Sequence, residues 1–146
     1  MTTQETLTGR DIGQAERAMR ALLDRLLDVG GMTFEEWVAL NLLVGSPGAS
    51  GNLDTLTRRI AGSQRIGLDT AREAFARLER SGLAAARGGE EVALTSAGEA
   101  RFHHIKGEVD RTMERLSLGL SPAELATAHR VLVTIAEHAS RELASA

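Results

Sequence analysis

Residues 56 to 98 read LTRRIAGSQRIGLDTAREAFARLERSGLAAARGGEEVALTSAG, and the change of period inside this stretch decides the fold. Leu53, Leu56 and Ile60 step by three and four along a short helix that Asn52 is placed to cap. The run from Gly62 to Gly67 interrupts that period. Ala71, Ala74, Phe75 and Leu78 resume it on a second helix, ended by Ser81-Gly82. Strand-length segments then follow, Leu83 to Arg87 and Glu91 to Thr95, on either side of Gly88-Gly89, a dipeptide suited to a turn with positive φ. The stretch therefore predicts two short helices joined by a tight turn, with a small hairpin behind them.

Working outward, Ile12, Ala15, Met19, Leu22, Leu23, Leu26 and Val29 form the apolar stripe of an N-terminal helix stopped by Gly30-Gly31, preceded by a short polar tail from Met1 to Gly9. Thr33 followed by Glu36 is a capping-box pattern, and Trp37, Leu40, Leu43 and Val44 give the next helix one apolar face up to Gly45. Ser46 to Gly51 reads as a loop by composition. Beyond Thr95, Phe102, Ile105, Val109, Met113, Leu116 and Leu120 mark a long helix. Ser121-Pro122-Ala123-Glu124 opens a last one carrying Leu125, Leu132, Ile135, Ala139 and Leu143. The chain is expected to be mainly α and a single domain over 1–146, in which 33–95 is a compact module and 10–30 and 96–146 supply flanking helices.

Helix, turn, helix and hairpin is the order of a winged helix-turn-helix, in which the second helix enters a DNA major groove beside the wing. Charge tests this independently. Between Leu56 and Gly89 stand Arg58, Arg59, Arg65, Arg72, Arg77, Arg80 and Arg87 against Asp69, Glu73 and Glu79, a local +4 inside a chain of net charge −3. A basic centre on an acidic protein is what phosphate binding requires. Thr70, near the start of the second helix, is placed to meet a phosphate or a base edge. Arg72 and Arg77 are candidates for base edges, because guanidinium bonds guanine through two donors, while Arg58, Arg59 and Arg65 suit the backbone and Arg87, on the hairpin, is a further DNA-binding candidate. Arginines at such positions also serve as solvated surface in i,i+4 pairs, as Glu73 with Arg77; taken as a cluster they point to duplex DNA.

Met32 to Leu40, Leu56 to Ala61, the Leu78-Glu79-Arg80-Ser81-Gly82-Leu83 close of the second module helix and Leu94-Thr95-Ser96-Ala97-Gly98 after the hairpin together resemble the MarR family of bacterial transcriptional regulators. The resemblance implies a homodimer whose N- and C-terminal helices pack together and whose two winged modules read a pseudo-palindromic operator about one DNA turn apart, roughly 34 Å. It also implies a repressor released by a small-molecule effector, in a pocket walled by Met19, Trp37, Phe102 and Met113. Apolar residues at helical spacing serve as core more often than as pocket lining. The apolar stripes on the terminal helices exceed what a module of this size needs for its own core, in keeping with a dimer. The wing departs from the family pattern: Arg87 is its one cation, and Glu90 and Glu91 repel phosphate if they face DNA. A protein-interaction module with little or no DNA binding is the alternative reading.

Other chemistry finds little support. The chain of 146 residues contains no cysteine, which removes disulfides, thiol nucleophiles and cysteine metal sites. His104 and Glu108 have i,i+4 spacing, and His129 or His138 could add a third ligand, but adjacent His103 and His104 diverge on a helix, so no metal is expected. No phosphate loop, nucleophile elbow or carboxylate pair stands out, and neither a cofactor nor an enzyme activity is expected. No apolar run approaches the roughly 20 residues of a membrane span, and no secretory signal is recognisable, so the expected setting is cytoplasmic.

Overall fold

The computed structural model describes residues 5–145. Its elements are α1 (Gly9–Asp28), α2 (Phe34–Gly45), a 3-10 turn (Pro47–Ala49), β1 (Ser50–Asn52), α3 (Leu53–Gln64), α4 (Leu68–Arg80), β2 (Ala84–Ala86), β3 (Glu91–Leu94), α5 (Ser96–Leu116) and α6 (Pro122–Ala144). They fall into two compact units, one ending at Val109 and the other beginning at Asp110.

The helix starts follow local hydrogen bonding. Thr33 Oγ1 accepts from the Glu36 amide at 3.2 Å while Glu36 Oε1 accepts from the Thr33 amide at 3.4 Å, the reciprocal box expected from the sequence. Asn52 caps α3 by accepting from the Thr55 amide at 3.0 Å, and Ser121 with Glu124 boxes the start of α6. A third box, Thr8 with Asp11, starts α1 at Gly9, so the polar tail is shorter than expected. Of that tail, Met1 to Gln4 lie outside the described residues.

In the first unit, Leu27 of α1, Met32 before α2, Trp37, Leu40 and Leu43 of α2, Leu56 and Ile60 of α3, Phe75 and Leu78 of α4, Val92 of β3 and Ile105 of α5 are buried in one cluster. Full burial of each large apolar side chain stabilises by about 1.5–3 kcal/mol, which fixes the short helices against one another. Two local expectations are corrected. The helix α3 continues through Gly62 to Gln64 and is closed by Arg65 in the left-handed conformation at φ 53°. Ile66, whose amide donates to Ala61 O at 3.1 Å, packs on the core and holds that turn. The loop before Asn52 contains β1, which pairs antiparallel with β3 in the register Gly51 to Val92, giving a three-stranded sheet of order β1-β3-β2.

The junction from α4 to α5 explains the two glycine motifs. Gly82, at φ 76°, ends α4: its amide donates to Glu79 O, and the Leu83 amide donates to Leu78 O at 2.9 Å. This is a Schellman close, with Leu83 and Leu78 buried together. Thr95 Oγ1 donates to Gly82 O at 2.6 Å and accepts from the Gly98 amide at 3.0 Å, tying the exit of the wing to the end of α4. A β-carbon on Gly98 would stand 2.1 Å from Leu83 O, so the first turn of α5 approaches this backbone as only glycine allows.

The second unit holds the end of α5 and α6. No residue of α6 is buried, and Leu125, Leu132, Val133, Ile135 and Leu143 are exposed along it.

Candidate nucleic-acid interface

Burial of Ala71, Ala74, Phe75 and Leu78 fixes which side of α4 faces out: Asp69, Thr70, Arg72, Glu73, Arg77 and Arg80 are exposed, as the periodicity predicts. The start of α4 differs from the capped starts of α2 and α3. Gly67 stands at its N-cap and supplies no side-chain acceptor. The first-turn amides beside Thr70 therefore keep donors directed outward at the positive end of the helix, an arrangement that favours phosphate, opposed locally by the Asp69 carboxylate.

The arginines sort into two groups. Arg58 of α3 lies 3.1 Å from Asp54 Oδ2, and Arg72 of α4 lies 3.8 Å from Asp54 Oδ1, so one carboxylate stands between the two helices of the motif. Both guanidinium groups stay more than half exposed, with donors to spare. Arg59 and Arg65 are exposed on α3 and at its end, and Arg87 is exposed at the wing. Arg77 belongs elsewhere. Its Nη1 is 3.6 Å from Glu36 Oε1, a buried carboxylate on α2, and its Nε is 3.5 Å from Glu73 Oε1. Glu73 also takes a short charged hydrogen bond from Arg80, which together with that cation holds its carboxyl below the usual carboxylate range. The expected Glu73–Arg77 pair is thus present, and part of the positive charge of α4 is neutralised by its own helix.

Asp54 is the residue of this site that the sequence does not single out. Its place four residues before Arg58 signals that one pair; its approach to Arg72 has no signal in the sequence.

At the wing, Gly88 and Gly89 take φ values of 63° and 58°, and Glu90 and Glu91 are exposed beside Arg87. The Glu90 carbonyl accepts from the Leu53 amide at 2.7 Å, which pins the wing tip to the start of α3.

The residues expected to wall an effector pocket lie on α1, α2 and α5. Trp37 is buried and stacks on Phe102 with ring centroids 5.6 Å apart, so this pair forms part of the wall of the core. Met19 is exposed on α1, and Met113 is exposed in the second unit. A cleft of about 460 Å³ opens beside the end of α1, lined by Leu26, Leu27, Val29, Gly30, Arg101, His104, Ile105 and Glu108. Arg101 reaches across it to donate to Gly30 O at 3.2 Å. Among the described residues no group of three metal-ligating side chains is placed to hold an ion. Also among them, no helix is long and apolar enough to cross a membrane.

No family model and no curated protein matches the sequence. Solved structures do. The transcriptional regulator PA3341 superposes with a TM-score of 0.74 at 24% identity, covering 91% of this chain and 98% of that one. Sco5413, a MarR family transcriptional regulator from Streptomyces coelicolor, gives 0.73 at 19% identity over 90% and 92%. NadR in complex with 4-hydroxyphenylacetate gives 0.73 at 20% identity over 91% and 98%. The sheet order, the α3–α4 pair and the wing thus give this chain the winged-helix fold found in MarR-family transcriptional regulators.

Proposed function

We propose that this chain is a homodimeric, sequence-specific DNA-binding regulator of transcription in the bacterial cytoplasm, a repressor released by a small-molecule effector. The observation that carries the reading is the exposed face of α4, whose start lacks a side-chain cap and which bears Arg72, together with exposed Arg58, Arg59 and Arg65 on the preceding helix and its close. On a duplex, the α4 start and Thr70 take a phosphate, Arg72 takes a base edge, and Arg58, Arg59, Arg65 and Arg87 take backbone phosphates. Arg77 reaches the duplex only with the donors that Glu36 and Glu73 leave free. The exposed apolar side chains of α6 supply the dimer contact, since monomeric proteins rarely leave such a row uncovered.

A ligand in the NadR structure supports an effector, and the mechanism is a shift between half-site spacings that fit and do not fit DNA. Met19, Trp37 and Phe102 or the cleft beside Arg101 would receive it. The alternative, a protein-interaction module, is favoured by the exposed Glu90 and Glu91 and by the arginines already paired to carboxylates.

The test is binding to a duplex selected from a random pool and to its scrambled control, over a salt series. Four phosphate-binding arginines per protomer predict a log–log slope of about −7 for the dimer, at about −0.9 per phosphate. Sequence-dependent binding with a slope of this order supports the regulator. Failure to bind any duplex at low salt supports the interaction module.

A further inference from the structure

We infer that Asp54 is a positioning residue for DNA reading, one carboxylate that orients Arg58 and Arg72 together and so sets how well the protein tells one sequence from another; this rests on the reading under Proposed function. Asp54 is in the first turn of α3, where the helix dipole favours its charge. Its neighbour Leu53 is tied through its amide to the wing tip, so the carboxylate is carried by backbone pinned to the wing. Each oxygen then faces a different arginine, Oδ2 toward Arg58 of the same helix and Oδ1 toward Arg72 of the next. A guanidinium has five donors in a rigid plane, so an ion-pair contact with one oxygen, at 3.1 Å for Arg58 and 3.8 Å for Arg72, biases where the group sits and leaves most donors free. Without Asp54, Arg72 samples many rotamers and reaches phosphates as readily as bases. Its negative charge also restrains the pull of the two arginines on phosphate of any sequence.

Asp54→Asn keeps the shape and removes the charge. On the scrambled duplex it is expected to bind about fivefold tighter, with a steeper salt slope, while the selected duplex gains nothing, so that discrimination falls by the same factor, about fivefold. Asp54→Glu should restore part of the discrimination. Arg72→Lys keeps the charge but loses the planar fork; it should lower discrimination by a similar factor, and Asp54→Asn should add little on top of it. Urea midpoints of the variants confirm that each is folded. An equal shift on both duplexes, or additive effects of the two substitutions, overturns the inference and leaves DNA binding standing. A wild-type chain that binds no duplex overturns both.

Discussion

Gly98→Ala adds a single methyl group, and the structure fixes what it meets. The new carbon would stand 2.1 Å from Leu83 O and 2.7 Å from Leu94 Cδ1, where carbon contacts ordinarily lie at about 3.5–4.0 Å. The side chain of Leu94 can turn aside. The carbonyl of Leu83 cannot, because it accepts from the Thr95 amide at 3.1 Å and its own residue is tied to Leu78. Relief requires α5 to move off the end of α4, which breaks the Gly98–Thr95 bond and disturbs Thr95–Gly82. Overpacking costs about 1–3 kcal/mol and a lost hydrogen bond about 1 more, offset by at most about 1 from the better helix propensity of alanine. The net expectation is a loss of about 1–3 kcal/mol. Gly62→Ala is the control, since Gly62 lies inside α3 with nothing within 4 Å of the added carbon; it should stabilise by about 0.5–1 kcal/mol. Urea unfolding followed by circular dichroism measures both, at one chain concentration because the proposed dimer would make stability depend on it. A Gly98→Ala protein as stable as wild type, or one that shifts in the same direction as Gly62→Ala, would refute the close approach of α5 to the end of α4.

Arg77→Ala should destabilise by about 1–2 kcal/mol, because it leaves the buried Glu36 carboxylate with Thr33 alone, whereas Arg72→Ala, at an exposed pair, should stay within about 0.5 kcal/mol; equal urea midpoints for the two variants would contradict this division. The lowered pKa of Glu73 means that its contribution is complete above the unfolded carboxylate value, about 4.3, and disappears as pH falls through the lower folded value. Wild type should therefore exceed Glu73→Gln at neutral pH and converge with it in acid, and a gap of the same size at both pH values would exclude the effect. Leu132→Glu, on the exposed row of α6, should shift sedimentation from dimer to monomer at micromolar concentration; an unchanged dimer would remove α6 from the interface.

The amino-acid sequence determined what depends on groups a few residues apart. The Thr33–Glu36 box, the Asn52 cap, the buried stripe of α4, the glycine close at Gly82 and the turn at Gly88-Gly89 are local arrangements of hydrogen bonds, dihedral angles and period. From these the winged module and the exposed face of α4 were legible. Tertiary structure decided the rest. Ser50, Gly51 and Asn52 carry no strand preference and become β1 only because β3 offers an open edge. Arg65 adopts a left-handed conformation, unfavourable by about 1–2 kcal/mol for a residue with a β-carbon, because the turn it makes lets the partly buried Ile66 pack on the core. The sorting of the arginines is likewise non-local: Arg77 turns to a carboxylate on α2 and Arg72 to one on α3, partners outside the segment whose charge of +4 marked it as basic. A charge count reads how much cation a segment holds. Only the crossing of helices, set by which apolar faces pack together, determines which of those cations are already occupied and which face outward with donors free.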